Sequence, residues 1–418
     1  MRHLSALDAL FLQLETPETP MHVGSLMLLD KPPGKKGAYA TIRAHIAGRM
    51  HLAPVFSRRL GFMPLDLASP VWLDSGPVDL DYHIRHLKLS GRATQAQLDD
   101  AVAKLHEDTL DRSKPLWVFV VIEGLASGQV ALYAKIHHAA LDGQGGVAVA
   151  QALLDSERKP RKVEPGAEKN RPPPTMARLI GAALRNTVAQ YGNVLKGVPA
   201  TLKAAAAGGA VALSSAELRK RGIKLGPRTP LNAAIQAERA FVTTQIPLAE
   251  AKAIAKHFDA KLNDAVLATV SGALRRQFKG DKAALAKPMI GAVPVSLRAP
   301  GDTTSANYVS MMLVALATNV ADPVKRMATI VAASGRAKQL TGSMKGAIPT
   351  DMPSLGIPWL MAAIMPLYKK AATANKIPVL ANVAISNVPG PQAPLFLAGG
   401  QVRAYYPVSI VTHGLGLN

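Results

Sequence analysis

Apolar residues recur along this chain at two spacings, every second position in some stretches and every third or fourth in others. The spacing predicts which stretches are strands and which are helices. Residues 21–29, "MHVGSLMLL", form a buried-strand run that ends in the turn-forming "DKPPGKKG". Helical spacing covers residues 39–47 and 95–108. In "LDRSKPLWVFVVIEGL" Pro115 opens a Val- and Phe-rich strand, Gly128 marks a turn, and "QVALYAKIHH" reads as the returning strand. The two runs are expected to make a hairpin that delivers His138 at its end.

The second half restarts with strand-like "ERAFVTTQIP" and helix-like "LAEAKAIAKHF", followed by a helix in which Val266, Val270 and Leu274 fall on successive fourth positions. Further strands are expected at 289–297, 308–317, 381–386 and 401–407. Strands and helices alternate in both halves, which points to an α/β (α+β) fold. A chain of 418 residues exceeds the usual span of one core, so two domains are expected. Residues 157–175, "ERKPRKVEPGAEKNRPPPT", have the polar, proline-rich composition of a linker. The expected division is therefore 1–156, a linking region 157–225, and 226–418.

The linking region contains an Ala-rich stretch, 176–213, with Arg178, Arg185, Lys196 and Lys203 and no acid between 169 and 216. It reads either as a solvated or domain-packing helix pair or as a basic amphipathic element on an anionic membrane surface. The formal net charge of +21 extends that positive field to the whole molecule and would attract nucleic acid, anionic lipid or a polyanionic small molecule. Aromatics make up only 5% and no nucleic-acid-binding signature is present, so nucleic acid is not expected as a partner. The absence of cysteine removes disulfides, thiolate metal sites and cysteine nucleophiles, and suits a reducing compartment. The first residues, "MRHLSALDALFLQLETP", lack the apolar core and small-residue cleavage site of a signal peptide, so a cytoplasmic location is expected. The longest uncharged runs, 303–321 and 377–402, are too interrupted for a spanning helix.

Candidate chemistry concentrates in "HHAALDGQGG", residues 137–146. Strand alternation puts Val130, Leu132, Ala134, Ile136 and His138 on one side and Tyr133, Lys135 and His137 on the other. On that basis alone His138 is either a poised base or a satisfied core histidine. A metal site is not expected: neighbouring strand histidines diverge, and neither an HExxH motif nor a second ligand cluster is present. No G-x-S-x-G elbow supports a serine triad, "TGSMKG" lacks Walker spacing, and "GQGG" is no dinucleotide fingerprint.

"HHAALDG" resembles the HHxxxDG motif of CoA-dependent acyltransferases, a superfamily that includes condensation domains and chloramphenicol acetyltransferase-like enzymes. Further stretches occur in order: "SALDALFLQLETPETPMHVGSL", "PLW" at 115–117, "ND" at 263–264, "VPVSLR" at 293–298 and "NVAISNVPGP" at 382–391. Together they resemble the bacterial wax ester synthase/acyl-CoA:diacylglycerol acyltransferase family over nearly the whole chain.

The resemblance implies two chloramphenicol acetyltransferase-like domains with a substrate tunnel at their interface. It implies an O-acyltransferase that moves a fatty acyl group from acyl-CoA to a long-chain alcohol or diacylglycerol, with no bound cofactor or metal. His138 would be the general base, His137 a supporting residue, Asp142 a structural brace paired with Arg298, and Gly143 a point of close backbone approach. The partners implied are acyl-CoA, the acceptor lipid and an anionic membrane or lipid-droplet surface, with peripheral association at the inner membrane or droplets.

Other motif residues keep an ordinary reading beside the functional one. Asn263 suits a helix N-cap and Asp264 the first turn, or the two hold the active-site crevice. Pro115, Leu116 and Trp117 start a strand and fill a core, or lie near the catalytic region. Ser386 and Asn387 belong to a Pro/Gly-stiffened loop, or to a tunnel or interdomain wall. "GIPWLMAAIMPLY" at 356–368 is either a tunnel wall or a buried helix broken by proline. Residue 118 is Val, where many members of the resembled family have an acid. That family's pattern also continues past the residues matching "YYPVSIVTHGLGLN", so the resemblance implies a second domain short of its closing edge at Asn418. Two other functions remain: a related CoA- or carrier-dependent acyltransferase with another acceptor, amines included, and a non-catalytic lipid-surface protein.

Overall fold

The computed structural model describes residues 2–62, 69–74, 76–141, 145–166, 181, 225–296, 309–343 and 378–418. The stretch 356–368 lies outside them, as does the basic stretch 176–213 apart from Gly181. In chain order the described strands are β1 (Arg2–His3), β2 (His22–Leu29), β3 (Arg58–Gly61), β4 (Val71–Asp74), β5 (Ile84–Ala93), β6 (Trp117–Leu125), β7 (Val130–His137), β8 (Ile290–Ser296), β9 (Val309–Ala315), β10 (Val383–Ala384), β11 (Phe396–Leu397) and β12 (Gly400–Val408). The helices are α1 (Ala6–Leu14), α2 (Ala38–Ala47), α3 (Leu80–His83), α4 (Gln95–Glu107), α5 (Gly145–Leu153), α6 (Leu248–His257), α7 (Leu262–Gln277), α8 (Lys282–Leu285) and α9 (Pro323–Ser343). The mixed α/β class is as expected.

A sheet in the order β11-β12-β2-β7-β6-β5 carries the histidine motif at its centre. The expected hairpin is present: β6 and β7 pair antiparallel, with Trp117 opposite Ile136 and Ile122 opposite Ala131. Alternation sorts the central strands onto two cores. Trp117, Phe119, Leu132 and Ile136 pack against Ile42 and Ile46 of α2 and Leu153 of α5. Val118, Val120, Ala131 and Tyr133 pack on the opposite side against Leu12 of α1 and Leu98 and Val102 of α4. Each face is thus covered by helices, which explains why β7 is buried along its whole length.

The order also draws on both ends of the chain. β12 pairs antiparallel with β2, Tyr405 opposite Met27 and Val408 opposite Gly24. A second sheet, β10-β8-β9, lies under α7 and α9, where Leu267, Leu274, Val293, Met312, Val314 and Ile330 share a core. A third small sheet has the order β1-β4-β3.

Three expectations are corrected. "ERAFVTTQIP" forms no strand. It runs extended beside α4 and is held by a side chain instead of a neighbouring strand: Asp99 accepts from the Thr243 amide at 2.8 Å and from the Thr243 hydroxyl. The strand expected at 381–386 is reduced to Val383–Ala384, which pairs parallel with β8. The helix at "LND" has Lys261, not Asn263, as its N-cap, because the Asp264 carboxylate closes on the Lys261 amide at 3.0 Å.

Candidate active site

The backbone at the end of β7 is held from both sides. The His137 amide donates to the Leu116 carbonyl at 2.9 Å and the His138 amide to the Met21 carbonyl at 2.8 Å. The "PLW" stretch therefore meets the histidine pair directly. Its Leu116 and Trp117 are fully buried, and the Trp117 indole donates to the Phe56 carbonyl at 3.1 Å while its ring stacks on His83. Both readings of Pro115, Leu116 and Trp117 are compatible here, since the strand start and core residue is also the histidines' neighbour.

His138 does not continue the alternation of β7. The strand ends at His137, and His138–Ala140 form a 3₁₀ turn. That turn brings the His138 ring over Phe11 of α1, centroids 3.9 Å apart and planes 22° from parallel. Phe11 packs with the core on the Tyr133 side, so the turn redirects a side chain that simple alternation assigned to the other face. His138 is half-buried. Burial first, and then the neighbouring His137, lower its pKa from the usual histidine value, its own backbone opposing. The imidazole is therefore neutral at neutral pH and able to take a proton.

His137 is fully buried. Its Nδ1 accepts from the Ala139 amide at 3.0 Å, which assigns the ring proton to Nε2. Nε2 lies 3.3 Å from Glu15 Oε1. The Glu15 carboxylate also accepts from the Met21 amide at 3.0 Å and from Arg112 Nη2 at 2.9 Å. Burial pushes the Glu15 pKa up, but His137, the Met21 amide and Arg112 together outweigh it and hold the carboxyl below its usual value. Glu15 thus braces both histidines, His137 by its ring and His138 through the Met21 peptide. Phe11, Glu15 and Arg112 were not singled out from the sequence. The first two lie inside the quoted N-terminal stretch, but no spacing rule says which strand end a residue after a helix will meet.

Beside this turn runs an apolar cavity of about 110 Å³ between α5 and the sheet, lined in part by Val23, Ala134, Ile136, Leu141, Val149 and Tyr405. Ile136 and Leu141 flank the histidine turn in sequence, so the cavity meets the turn's backbone from the face opposite Phe11, and His138 is not among its lining residues. Gly24 also lines it, and a Cβ there would lie 2.9 Å from the Ala134 carbonyl oxygen and 3.0 Å from the Tyr133 ring, too close to fit. The far end of α5 is fixed by two arginines and a histidine: Arg49 donates to Asp155 at 3.0 Å, Arg161 to Asp155 at 2.8 Å, and His45 to the Leu153 carbonyl at 2.8 Å.

Asp142, Gly143 and Arg298 lie outside the described residues. Asn263 and Asn387 come together, the Asn387 amide donating to Asn263 Oδ1 at 3.4 Å, and both Ser386 and Asn387 are exposed. Among the described residues no hydrogen bond or ion pair joins this second cluster to the histidine turn. Asn382, just upstream, is buried and was also missed. It accepts from the Ile290 amide at 2.9 Å and donates to the Pro227 carbonyl and to Asn232, tying the loop to β8. Among the described residues no group of three or more His, Cys, Asp or Glu is placed to hold a metal, and no helix is long and apolar enough to cross a membrane.

Known proteins resemble this chain in sequence and fold. Residues 4–266 match the wax ester synthase/diacylglycerol acyltransferase catalytic domain, and residues 305–418 the C-terminal domain of the same family. A Mycobacterium tuberculosis protein named as a diacylglycerol O-acyltransferase is 34% identical over 99% of this chain and 83% of its own length. A second from that species, similarly named, is 31% identical over 98% of this chain and 89% of its own. Among solved structures, the wax ester synthase/diacylglycerol acyltransferase from Marinobacter aquaeolei VT8 superposes with a TM-score of 0.69 at 27% identity, covering 99% of this chain and 89% of that one. The first condensation domain of the calcium-dependent antibiotic synthetase shares the fold, with a TM-score of 0.51 at 14% identity over 99% of this chain and 86% of that one. The chain belongs to the wax ester synthase/diacylglycerol acyltransferase family, and it is an acyltransferase.

Proposed function

We propose that the protein transfers a fatty acyl group from acyl-CoA to the hydroxyl of a long-chain alcohol or a diacylglycerol, with His138 as general base, giving a wax ester or a triacylglycerol. The observation that carries this reading is a neutral, half-buried His138 held on a fixed turn at the strand end, in a chain of this family. His138 takes the hydroxyl proton as the acceptor oxygen bonds to the thioester carbonyl carbon. Collapse of the tetrahedral adduct then breaks the carbon–sulfur bond, and the imidazolium returns the proton to the departing CoA thiolate. Phe11 holds the ring in plane, while the Glu15 carboxylate fixes the His137 tautomer and the Met21 peptide.

The apolar cavity, about 110 Å³ and on the other face of the sheet from the His138 ring, has room for a short segment of a hydrocarbon chain. Asp142 and Arg298 belong to the same proposal as a pair that braces the loop after the histidines, and Asn263 and Asn387 as a link across the second half. So do the division at residues 156 and 226 with a tunnel between two domains, and a cytoplasmic protein held peripherally at an anionic membrane or droplet surface by its charge of +21. The test is thiol release from palmitoyl-CoA with hexadecanol, dioleoylglycerol or a long-chain amine as acceptor, the lipid product identified by mass. Ester formed with either hydroxyl acceptor supports the reading; product with the amine alone overturns it.

A further inference from the structure

The face of β7 turned away from the cavity carries Tyr133, Lys135 and His137, and Lys135 is the unusual member. Its residue is only 6% exposed, and its ammonium donates to the Leu105 carbonyl at 2.7 Å and the Asp108 carbonyl at 2.8 Å. Those carbonyls end α4, whose last turn has no amides left to bond them. His22 of β2, opposite His137 in the sheet register, adds a bond from Nε2 to the His106 carbonyl at 2.8 Å. Tyr133 meets His106 Nδ1 at 2.6 Å. The carboxyl end of α4 is thus received by three buried side chains from the two strands that carry the histidine turn.

We propose that Lys135 is a positioning residue for the His137–His138 turn: its ammonium locks the end of α4 onto β7 two residues before His137. This rests on the assignment of His138 as general base. A neutral amine keeps a donor for each carbonyl but loses the charge, and with it the attraction to the helix end and the strength of a charge-assisted hydrogen bond.

The group also titrates in a useful range. Burial pushes the Lys135 ammonium down to about 8, with Arg85 of β5 pushing the same way and the Asp108 and Glu15 carboxylates opposing. The other titratable groups around it are held neutral: His22 lies well below the usual histidine range, chiefly by burial, and His106 is pushed down to about 3, again chiefly by burial, with Lys135 adding to both. Tyr133 is pushed up by burial. Arg112 and His137 lie beyond Glu15. Lys135 is therefore the member of this cluster that changes charge just above neutral pH, and turnover should fall as pH rises through about 8.

The experiment compares thiol release by wild type, Lys135→Arg, Lys135→Met and His138→Ala from pH 6.5 to 9.5. It is read beside hydrogen exchange of the peptides covering residues 101–110 and 133–141, corrected for the intrinsic effect of pH. The expected result is an alkaline fall in wild-type kcat with KM for palmitoyl-CoA unchanged, no such fall in Lys135→Arg, and kcat lower by roughly ten- to a hundredfold in Lys135→Met. Wild-type exchange protection of both peptides should drop over the same pH range. An alkaline fall of equal midpoint in Lys135→Arg, wild-type kcat in Lys135→Met, or protection that ignores pH would overturn the proposal. Full activity in His138→Ala would sink the base assignment instead, and the exchange profile reads Lys135 independently of it.

Discussion

Glu15 is a residue with three polar neighbours, and removing its charge while keeping its shape separates what those contacts do. In Glu15→Gln the Arg112 and His137 contacts weaken, and the loss of a charged hydrogen-bond partner costs about 2 kcal/mol of stability at pH 7. The folded carboxyl sits below its unfolded value, so this stabilisation is present above the unfolded pKa and is lost as pH falls through the lower folded one. Denaturant unfolding of the two proteins should differ at pH 7 and converge in acid. An unchanged difference at low pH would mean that the carboxylate charge is not what stabilises the turn. His138 sets a second expectation. Burial lowers its pKa, so the base stays neutral below the ordinary histidine range, and the acid limb of kcat/KM should fall at a pH below about 6.5. A limb above that value would show that another group, or a differently placed His138, controls the rate.

The elements divide into those whose apolar spacing announced them and those defined by what they touch. The β6–β7 hairpin, α2 and α4 follow directly from spacing, because each buries a regular face. Edge strand β5 is fully buried only at its two ends and alternates only at Leu87–Leu89, a run too short to announce a strand. Spacing identified β12 as a strand but could not name β2 as its partner, because pairing across most of the chain's length leaves no local signature. The site divides in the same way. His138 was visible as a motif residue, yet its stacking on Phe11 depends on a 3₁₀ turn that alternation does not foresee, and Glu15 and Arg112 are brought in by chain entry into β2 and β6. Asn382 shows the same limit in the second half. Asn382→Ala would leave the Ile290 amide and Pro227 carbonyl unpaired inside the protein, and a loss of about 1–3 kcal/mol in unfolding free energy is expected. A variant as stable as wild type would mean that water or a rearranged Asn232 replaces it.

At the scale of the molecule, the net charge serves the proposed chemistry. A net charge of +21 favours a surface rich in anionic headgroups, where acceptor lipids partition, and it also favours the CoA phosphates. Co-sedimentation with vesicles containing anionic phospholipid should therefore be strong at low salt, weaken as salt is raised, and be weak with zwitterionic vesicles. Equal binding to both would assign association to apolar contact. The central claim, that His138 takes the acceptor proton, is tested most directly by measuring acceptor-dependent thiol release and ester product for wild type beside His138→Ala, both shown to be folded. The account predicts ester from wild type and a fall of at least roughly a hundredfold in kcat for the variant. Comparable turnover by His138→Ala would contradict it.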